Sequence, residues 1–298
     1  MIPTKHIWLD GKLVPWDEAK VHVLAHSLHY GSAVFEGIRF YKTSKGPAIF
    51  LLDKHVKRLV FSAKTVGMKL PYTEKQLSDA IIQTVKENDI PAGYIRPLCF
   101  YGYGNLGVSP KDVPVQVAIA VWPWGAYLGD EPTKVKISSF IRLHPKSTVQ
   151  DAKISGHYFN SLLAGNEARG EGYDEALLLD YEGNVAEGSG ENLFLVKDGV
   201  IFTPSLGTIL PGITREAVMT LAKNLGLKVE EKKITRDQLS TMDEAFFTGT
   251  AAEVASIASF DGKELPHFPG PVTTKLRDAF MDITHGRNHE YDDWLTYL

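Results

Sequence analysis

Apolar residues recur along this chain at two spacings, and the switches between them mark out strands and helices. Between residues 53 and 66, Val56, Leu59, Val60, Ala63 and Val66 fall at the intervals of a helix with one buried face. The stretch 74–88 repeats this through Leu77, Ile81 and Val85. Thr73 and Gln76 stand before it at capping-box spacing, where each side chain can accept the other's backbone N–H. Upstream, I-W-L-D-G-K-L-V (7–14) predicts a hairpin turning on Asp10-Gly11, two residues that tolerate left-handed backbone. The glycine-punctuated run H-Y-G-S-A-V-F-E-G-I-R-F-Y (29–41) reads as β-rich, and 93–101 and 115–124 read as strands.

The segment W-G-A-Y-L-G-D-E-P-T (124–133) breaks the pattern with Gly and Pro and is expected to connect two domains. A small N-terminal domain then covers 1–123 and a larger one 134–298. In the second half, strands are expected at 135–142, 175–180, 192–197, 200–203, 228–234 and 244–248. Helices are expected at 157–170, 213–225, 235–241 and 271–285. Asp198-Gly199 and Asp261-Gly262 mark hairpin turns. Strands joined by hairpins argue for an α+β fold over a doubly wound parallel sheet.

Composition narrows the function classes. At 298 residues the chain is long enough for two cores, and 44% apolar with 23% charged residues is ordinary for a globular protein. A net charge of −4 leaves no electrostatic footprint for nucleic acid, and even Lys228–Lys233 alternates in sign. The one cysteine, Cys99, excludes an intramolecular disulfide and a Cys-rich metal site. Its apolar neighbours suit an inert core thiol. No segment approaches the ~20 apolar residues of a membrane span, and the first residues carry no signal-type run. The expectation is a cytoplasmic protein with no membrane or nucleic-acid partner.

Two motifs mislead. G-Y-G-N-L-G (102–107) matches the dinucleotide fingerprint, which would make the chain an NAD-binding dehydrogenase. That fingerprint must open a helix, and Pro110 and Pro114 forbid one here. His22, His26 and His29 could align on a helix face to bind zinc, but no carboxylate-rich segment accompanies them, and packed or surface histidines are the simpler reading.

Four later segments occur in an order that suits pyridoxal phosphate. That cofactor needs a lysine for a Schiff base, an acid for the pyridine nitrogen and donors for the phosphate. Lys153, in D-A-K-I-S-G-H-Y, can supply the first, although an isolated lysine is more often a surface charge. Glu187, in E-G-S-G-E-N, offers the acid or is a solvated turn residue. Pro211-Gly212 opens a helix whose first N–H groups can cradle phosphate, or which Thr214 merely caps. Gly249-Thr250-Ala251 adds a hydroxyl and backbone donors, or is a plain tight turn.

Taken together, H-Y-G-S-A-V-F-E-G-I-R (29–39), Y-I-R-P-L (94–98), A-K-I-S-G-H-Y (152–158), E-G-S-G-E-N-L-F (187–194), L-P-G-I-T-R (210–215) and G-T-A-A-E (249–253) resemble the class IV, fold-type IV transaminases. Within them the similarity is to the branched-chain amino acid aminotransferases, from Ile7 to about Leu295. The resemblance implies two α/β domains joined by an interdomain loop, pyridoxal 5'-phosphate as cofactor, and transfer between leucine, isoleucine or valine and 2-oxoglutarate. It makes Lys153 the Schiff-base lysine and the base for the Cα proton, and pairs Glu187 with the pyridine nitrogen. Tyr158 would bond the cofactor's phenolic oxygen, and Arg58, Ile213, Thr214 and Thr250 its phosphate. Phe35, Gly37, Tyr94, Trp124, Tyr127, Thr250 and Ala251 would line the substrate pocket. Tyr94 and Arg96 match the tyrosine-x-arginine signature of the branched-chain enzymes, and Arg39 is a further partner for glutamate's side-chain carboxylate. Tyr30, Leu106, Gly107 and Val108 would come from a neighbouring subunit, so a homodimer at least is implied, or a higher homo-oligomer. The chain departs from many relatives in G-H-Y-F-N after Lys153 and C-F-Y-G-Y-G-N at 99–105, which bears on substrate range. An (R)-amine transaminase, a D-amino acid transaminase and an aminodeoxychorismate lyase are the alternatives within the fold, and Tyr94-Ile95-Arg96 argues against the last two.

Overall fold

A computed structural model of the chain describes residues 2–125 and 132–298. They fall into two units. One comprises Met1–Gly125, Ala152–His157 and Ile283–Leu298, the other Ala126–Asp151 and Tyr158–Asp282.

In the first unit, the hairpin expected at Asp10-Gly11 joins β1 (His6–Leu9) to β2 (Lys12–Pro15), with φ of 45° and 91° at the two turn residues. The Asp10 carboxylate accepts the Val117 N–H at 2.7 Å and the Gln116 amide at 2.7 Å, which ties the turn to the strand beside it. After a five-residue helix α1 (His26–Tyr30) come β3 (Val34–Phe35), β4 (Ile38–Thr43) and β5 (Gly46–Phe50). Helices α2 (Leu52–Thr65) and α3 (Glu74–Asn88) follow, then β6 (Gly93–Tyr101) and β7 (Val115–Trp122). The sheet is antiparallel, and the last strand of the chain, Leu295–Tyr297, lies at one edge. The order is that strand, then β5, β4, β6, β7, β1 and β2, with β3 on β6.

Helical and strand periods meet in one core. Leu52, Val56, Leu59 and Ala63 of α2, with Leu77, Ile81 and Val85 of α3, pack with Ile38, Phe40, Ile95, Val117, Ile119 and Val121. Each fully buried Val, Leu, Ile or Phe among them contributes about 1.5–3 kcal/mol. Cys99 belongs to this cluster, and burial pushes its thiol up to about 12, in keeping with an inert core residue. The capping box of α3 forms as expected: Thr73 Oγ1 accepts the Gln76 N–H at 3.3 Å, and Gln76 Oε1 accepts the Thr73 N–H at 2.9 Å.

The second unit contains β8 (Thr133–Ile141), β9 (Glu175–Leu179), β10 (Val185–Gly188), β11 (Asn192–Lys197), β12 (Val200–Pro204), β13 (Val229–Lys232), β14 (Glu244–Gly249), β15 (Glu253–Phe260) and β16 (Lys263–Glu264). The path runs β10, β9, β8, β15, β14, β11, β12, β13, and β10 also pairs with β11 through Glu187 and Asn192. Six strands therefore close into a ring. Three pairings (β8 with β9, β8 with β15, β12 with β13) are parallel and the rest antiparallel. Val135, Ile137, Leu177, Leu193, Leu195, Phe247 and Ile257 are in its core. Helix α4 (Tyr158–Gly170) buries Ala164 and Ala168 against Ala176 and Leu178, and α5 (Ile213–Asn224) and α6 (Pro271–Thr284) follow later in the chain.

Several expectations need correction. The β-rich run expected from residue 29 begins inside α1, because Gly31, at φ 62°, supplies that helix's left-handed cap. The segment 235–241 is a 3-10 helix, Arg236–Thr241. The division at 123 and 134 is linear, whereas 152–157 and 283–298 belong to the first unit. The reason is pairing: Leu295 lies opposite Phe50, and the backbone around Lys153 bonds to residues 31–35. Part of the connection expected at 124–133 lies outside the described residues.

Candidate active site

In the first unit, Lys153 sits in a short segment stitched to α2, to β3 and to the turn before β3. Its N–H donates to Ser62 Oγ at 2.9 Å, and its carbonyl accepts the Phe35 N–H at 3.2 Å. The Ser155 N–H donates to Ala33 O at 2.8 Å and the Gly156 N–H to Gly31 O at 2.9 Å. A Cβ on Gly31 would come within 2.9 Å of Gly156 Cα, so glycine is needed for this backbone approach. Lys153 is half-buried, with Nζ 5.2 Å from the centre of the Phe35 ring. Bonds to Gly31, Ala33, Phe35 and Ser62 thus fix the backbone around it, which is the anchoring a reactive side chain needs.

The strand period explains which residues gather beside it in the sheet. Ile95 and Cys99 face the α2–α3 core, so Tyr94 and Arg96 of β6 face the other way, as does Arg39 of β4, which pairs with Tyr94. The Arg96 guanidinium carbon lies 4.7 Å from the Phe35 ring centre and 5.4 Å from that of Tyr94. Arg96 Nη2 reaches the Tyr94 hydroxyl at 3.4 Å, and its Nε is buried without a hydrogen-bond partner among the described residues. Arg39 Nη2 donates to Gly125 O at 2.6 Å. The Tyr94 hydroxyl fills the space that a Cβ on Gly37 would need. Trp124 crosses the Tyr94 ring edge-on at 4.4 Å, and Trp122, which the sequence did not single out, lies 5.2 Å away. Tyr127 lies outside the described residues.

Arg58 of α2 is engaged by Glu36, an acid of the 29–39 segment to which the resemblance assigned no role. Its Nε and Nη2 lie 2.6 and 2.9 Å from the two carboxylate oxygens of Glu36, and His55 Nδ1 lies 2.7 Å from Glu36 Oε2. Glu36 is wholly buried. Burial opposes its ionisation, but the charge of Arg58 and the hydrogen bonds of Arg58 and His55 outweigh it and hold the carboxyl well below the usual carboxylate range. Burial dominates at His55 and lowers its pKa, so the neutral ring donates Nδ1–H to Glu36.

Tyr30 and residues 106–108 also come together. The Tyr30 hydroxyl donates to Leu106 O at 2.6 Å, and His26 Nε2 lies 3.0 Å from Gly107 O. Tyr30 and Val108 are exposed. The backbone at 102–107 continues as an irregular loop and opens no helix, which removes the dinucleotide reading. The three histidines have separate partners: His22 packs on Tyr103 at 4.2 Å, His26 bonds Ser32 and Gly107, and His29 bonds Val23 O.

In the second unit, Glu187 of β10 is 5% exposed at the pairing that closes the ring. Asn192 Nδ2 and the Leu210 N–H each donate to its Oε2 at 3.1 Å. Arg142 Nε stands 2.7 Å from Oε1, off the N–H axis, so charge rather than an aligned hydrogen bond carries that contact. Asn192 also donates to Leu210 O at 3.0 Å, and its Oδ1 occupies the space a Cβ on Gly212 would need. Gly212 in turn caps α5 with no side chain, so the N–H groups of Ile213 and Thr214 begin a helix that no cap side chain satisfies. Thr250 and Ala251 lie in the turn between β14 and β15, and Tyr158 opens α4. Sequence reasoning missed Arg142 and Asn192 because only their contact with Glu187 distinguishes them.

The amino-transferase class IV family model matches residues 33–260. A branched-chain-amino-acid aminotransferase of Pseudomonas aeruginosa is 48% identical over 297 residues, covering 98% of this chain and 97% of that protein. Among solved structures, the branched-chain aminotransferase of the thermophilic archaeon Thermoproteus uzoniensis with norvaline is 44% identical at a TM-score of 0.95. The alignment covers 98% of this chain and 99% of that one. The T.th. branched-chain amino acid aminotransferase complexed with N-(5'-phosphopyridoxyl)-L-glutamate is 46% identical at a TM-score of 0.96, covering 100% and 99%.

Proposed function

This chain belongs to the amino-transferase class IV family, and from that premise we propose that it is a pyridoxal-phosphate-dependent aminotransferase of branched-chain L-amino acids, with 2-oxoglutarate as amino acceptor. The observation that carries the substrate half is the Arg96 guanidinium between the rings of Phe35 and Tyr94, with a buried Nε–H that has no partner among the described residues. A wall of this kind is apolar enough for leucine, isoleucine or valine and holds a cation for glutamate's second carboxylate. The norvaline and phosphopyridoxyl-glutamate complexes of the relatives support both halves of that reading.

The donor sets fit the cofactor. The second unit holds a buried acid with fixed oxygens and an uncapped helix start, and the first holds an anchored lysine and a braced arginine. When bound, pyridoxal phosphate supplies an electron sink that makes the substrate Cα–H acidic. Lys153 Nζ would be the amine that holds the cofactor at its carbonyl carbon and the base that carries the substrate Cα proton. Glu187 keeps a proton on the pyridine nitrogen, and Arg142 and Asn192 hold that carboxylate in place. Arg58, the Ile213 and Thr214 N–H groups and Thr250 receive the phosphate, and Tyr158 the phenolic oxygen. Phe35, Gly37, Tyr94, Trp124, Thr250 and Ala251 are the substrate-contacting residues, with Arg39 and Arg96 as carboxylate partners. Tyr30 and residues 106–108 serve the pocket of a second copy, so the working form is at least a homodimer.

One experiment tests this reading. Purified protein should absorb in the visible, and borohydride reduction followed by peptide mapping should place the label on Lys153. Leucine should be a better donor than (R)-1-arylethylamine. A colourless protein, a label on another residue, or preference for the amine would refute it.

A further inference from the structure

Glu36 has no role in the function proposed above, yet the fold goes to some length to bury it. A carboxylate removed from water costs several kcal/mol unless its oxygens are met by charge and hydrogen bonds. Here both oxygens are met: Oε1 by Arg58 Nε at 2.6 Å, Oε2 by Arg58 Nη2 at 2.9 Å and by His55 Nδ1 at 2.7 Å. His55 and Arg58 stand three residues apart on α2, so both reach the same point from one helix face.

The Nε–Nη2 edge is one of two edges by which an arginine can grip an anion bidentately. Glu36 occupies that edge and fixes the plane of the guanidinium, so that Nη1 and the second hydrogen of Nη2, which form the other edge, point away from it. Resting on the assignment of Arg58 to the cofactor's phosphate, we propose that Glu36, braced by His55, is the positioning residue that aims Arg58 at that phosphate.

Charge alone argues in the other direction. A carboxylate beside a phosphate repels it, so if charge decided the matter, removing Glu36 would tighten binding. Positioning requires the opposite: a guanidinium released from its brace gives up rotamer entropy on every binding event and loses affinity. The sign of the effect therefore separates the two.

The test titrates the full-length protein, stripped of cofactor, with pyridoxal phosphate and, separately, with pyridoxal, which has no phosphate. Glu36→Gln should weaken pyridoxal phosphate binding about tenfold or more, the scale of a lost charged hydrogen bond. Pyridoxal binding should stay within about twofold of the parent, since only the phosphate contact is lost. In an Arg58→Gln background the same change should cost nothing, because the group it aims is gone. Glu36→Asp, which keeps the charge but is too short to hold both nitrogens, should behave like Glu36→Gln and serves if the latter fails to fold. Unchanged or tighter pyridoxal phosphate binding in the folded variants would overturn the proposal, as would equal losses for both ligands. If Arg58→Gln itself fails to separate the two ligands, the phosphate assignment of Arg58 is wrong and the proposal falls with it.

Discussion

Gly37 and Tyr94 show how much a single position can decide. The tyrosine hydroxyl fills the space a Cβ would need, and its ring flanks Arg96. Gly37→Ala should therefore displace Tyr94 and lower kcat/KM for leucine on the order of tenfold to a hundredfold, as misplacements of this size do. Steady-state kinetics with leucine decide this, and an unchanged value would show that Tyr94 has room to shift. His55 makes a pH prediction. Burial lowers its folded-state pKa below the ordinary value of 6.5, so its neutral form contributes stability that is complete above pH 6.5 and is lost as pH falls toward the folded value. Denaturant unfolding across that range should show a steeper loss for the parent than for His55→Gln, by up to about 1.4 kcal/mol per pH unit. Equal slopes would mean that His55 takes no part. Lys153 and Glu187 could be singled out in the sequence as candidates because their residue types, in the order of the motifs around them, match what the cofactor needs. Glu36 could not, since its partners lie 19 and 22 residues away and nothing local marks an acid as buried.

At the scale of elements, the sequence was most legible where one face is buried and one is not. The periods of α2 and α3 are such cases. Strands β5 and β10 escaped notice, and β15 was marked only by the Asp261-Gly262 turn at its end. V-A-E-G is short and V-A-S-I-A-S-F mixes small residues, so neither carries a clean alternation, and their pairing partners decide them. Helix α3 offers a separable test, because its capping box is remote in kind from the chemistry. Thr73→Ala should cost about 1 kcal/mol of stability, measured by chemical denaturation, and leave kcat/KM for leucine unchanged. A loss of activity without loss of stability would mean that α3 does more than support the sheet.

The closure of the second unit's strands was beyond the reach of periodicity, which says what a strand buries but not which strand it meets. The same holds for the C-terminal strand, which joins the edge of a sheet begun far earlier in the chain, at Ala48, Ile49 and Phe50. Family resemblance supplied the general architecture, and only the pairing shows that the chain passes out of the first unit, returns to lay down Ala152–His157, leaves, and returns once more at Ile283. That path makes the two units inseparable as genes. A fragment ending at Gly125 would lack both the lysine segment and the edge strand, and should give a poorly dispersed NMR spectrum when expressed alone. Supplying the remainder as a second polypeptide should restore order. A well-folded 1–125 fragment would show the returning segments to be dispensable. If they are not, no crossover between two such genes at a single unit boundary could exchange one half and keep a working lysine in its native setting.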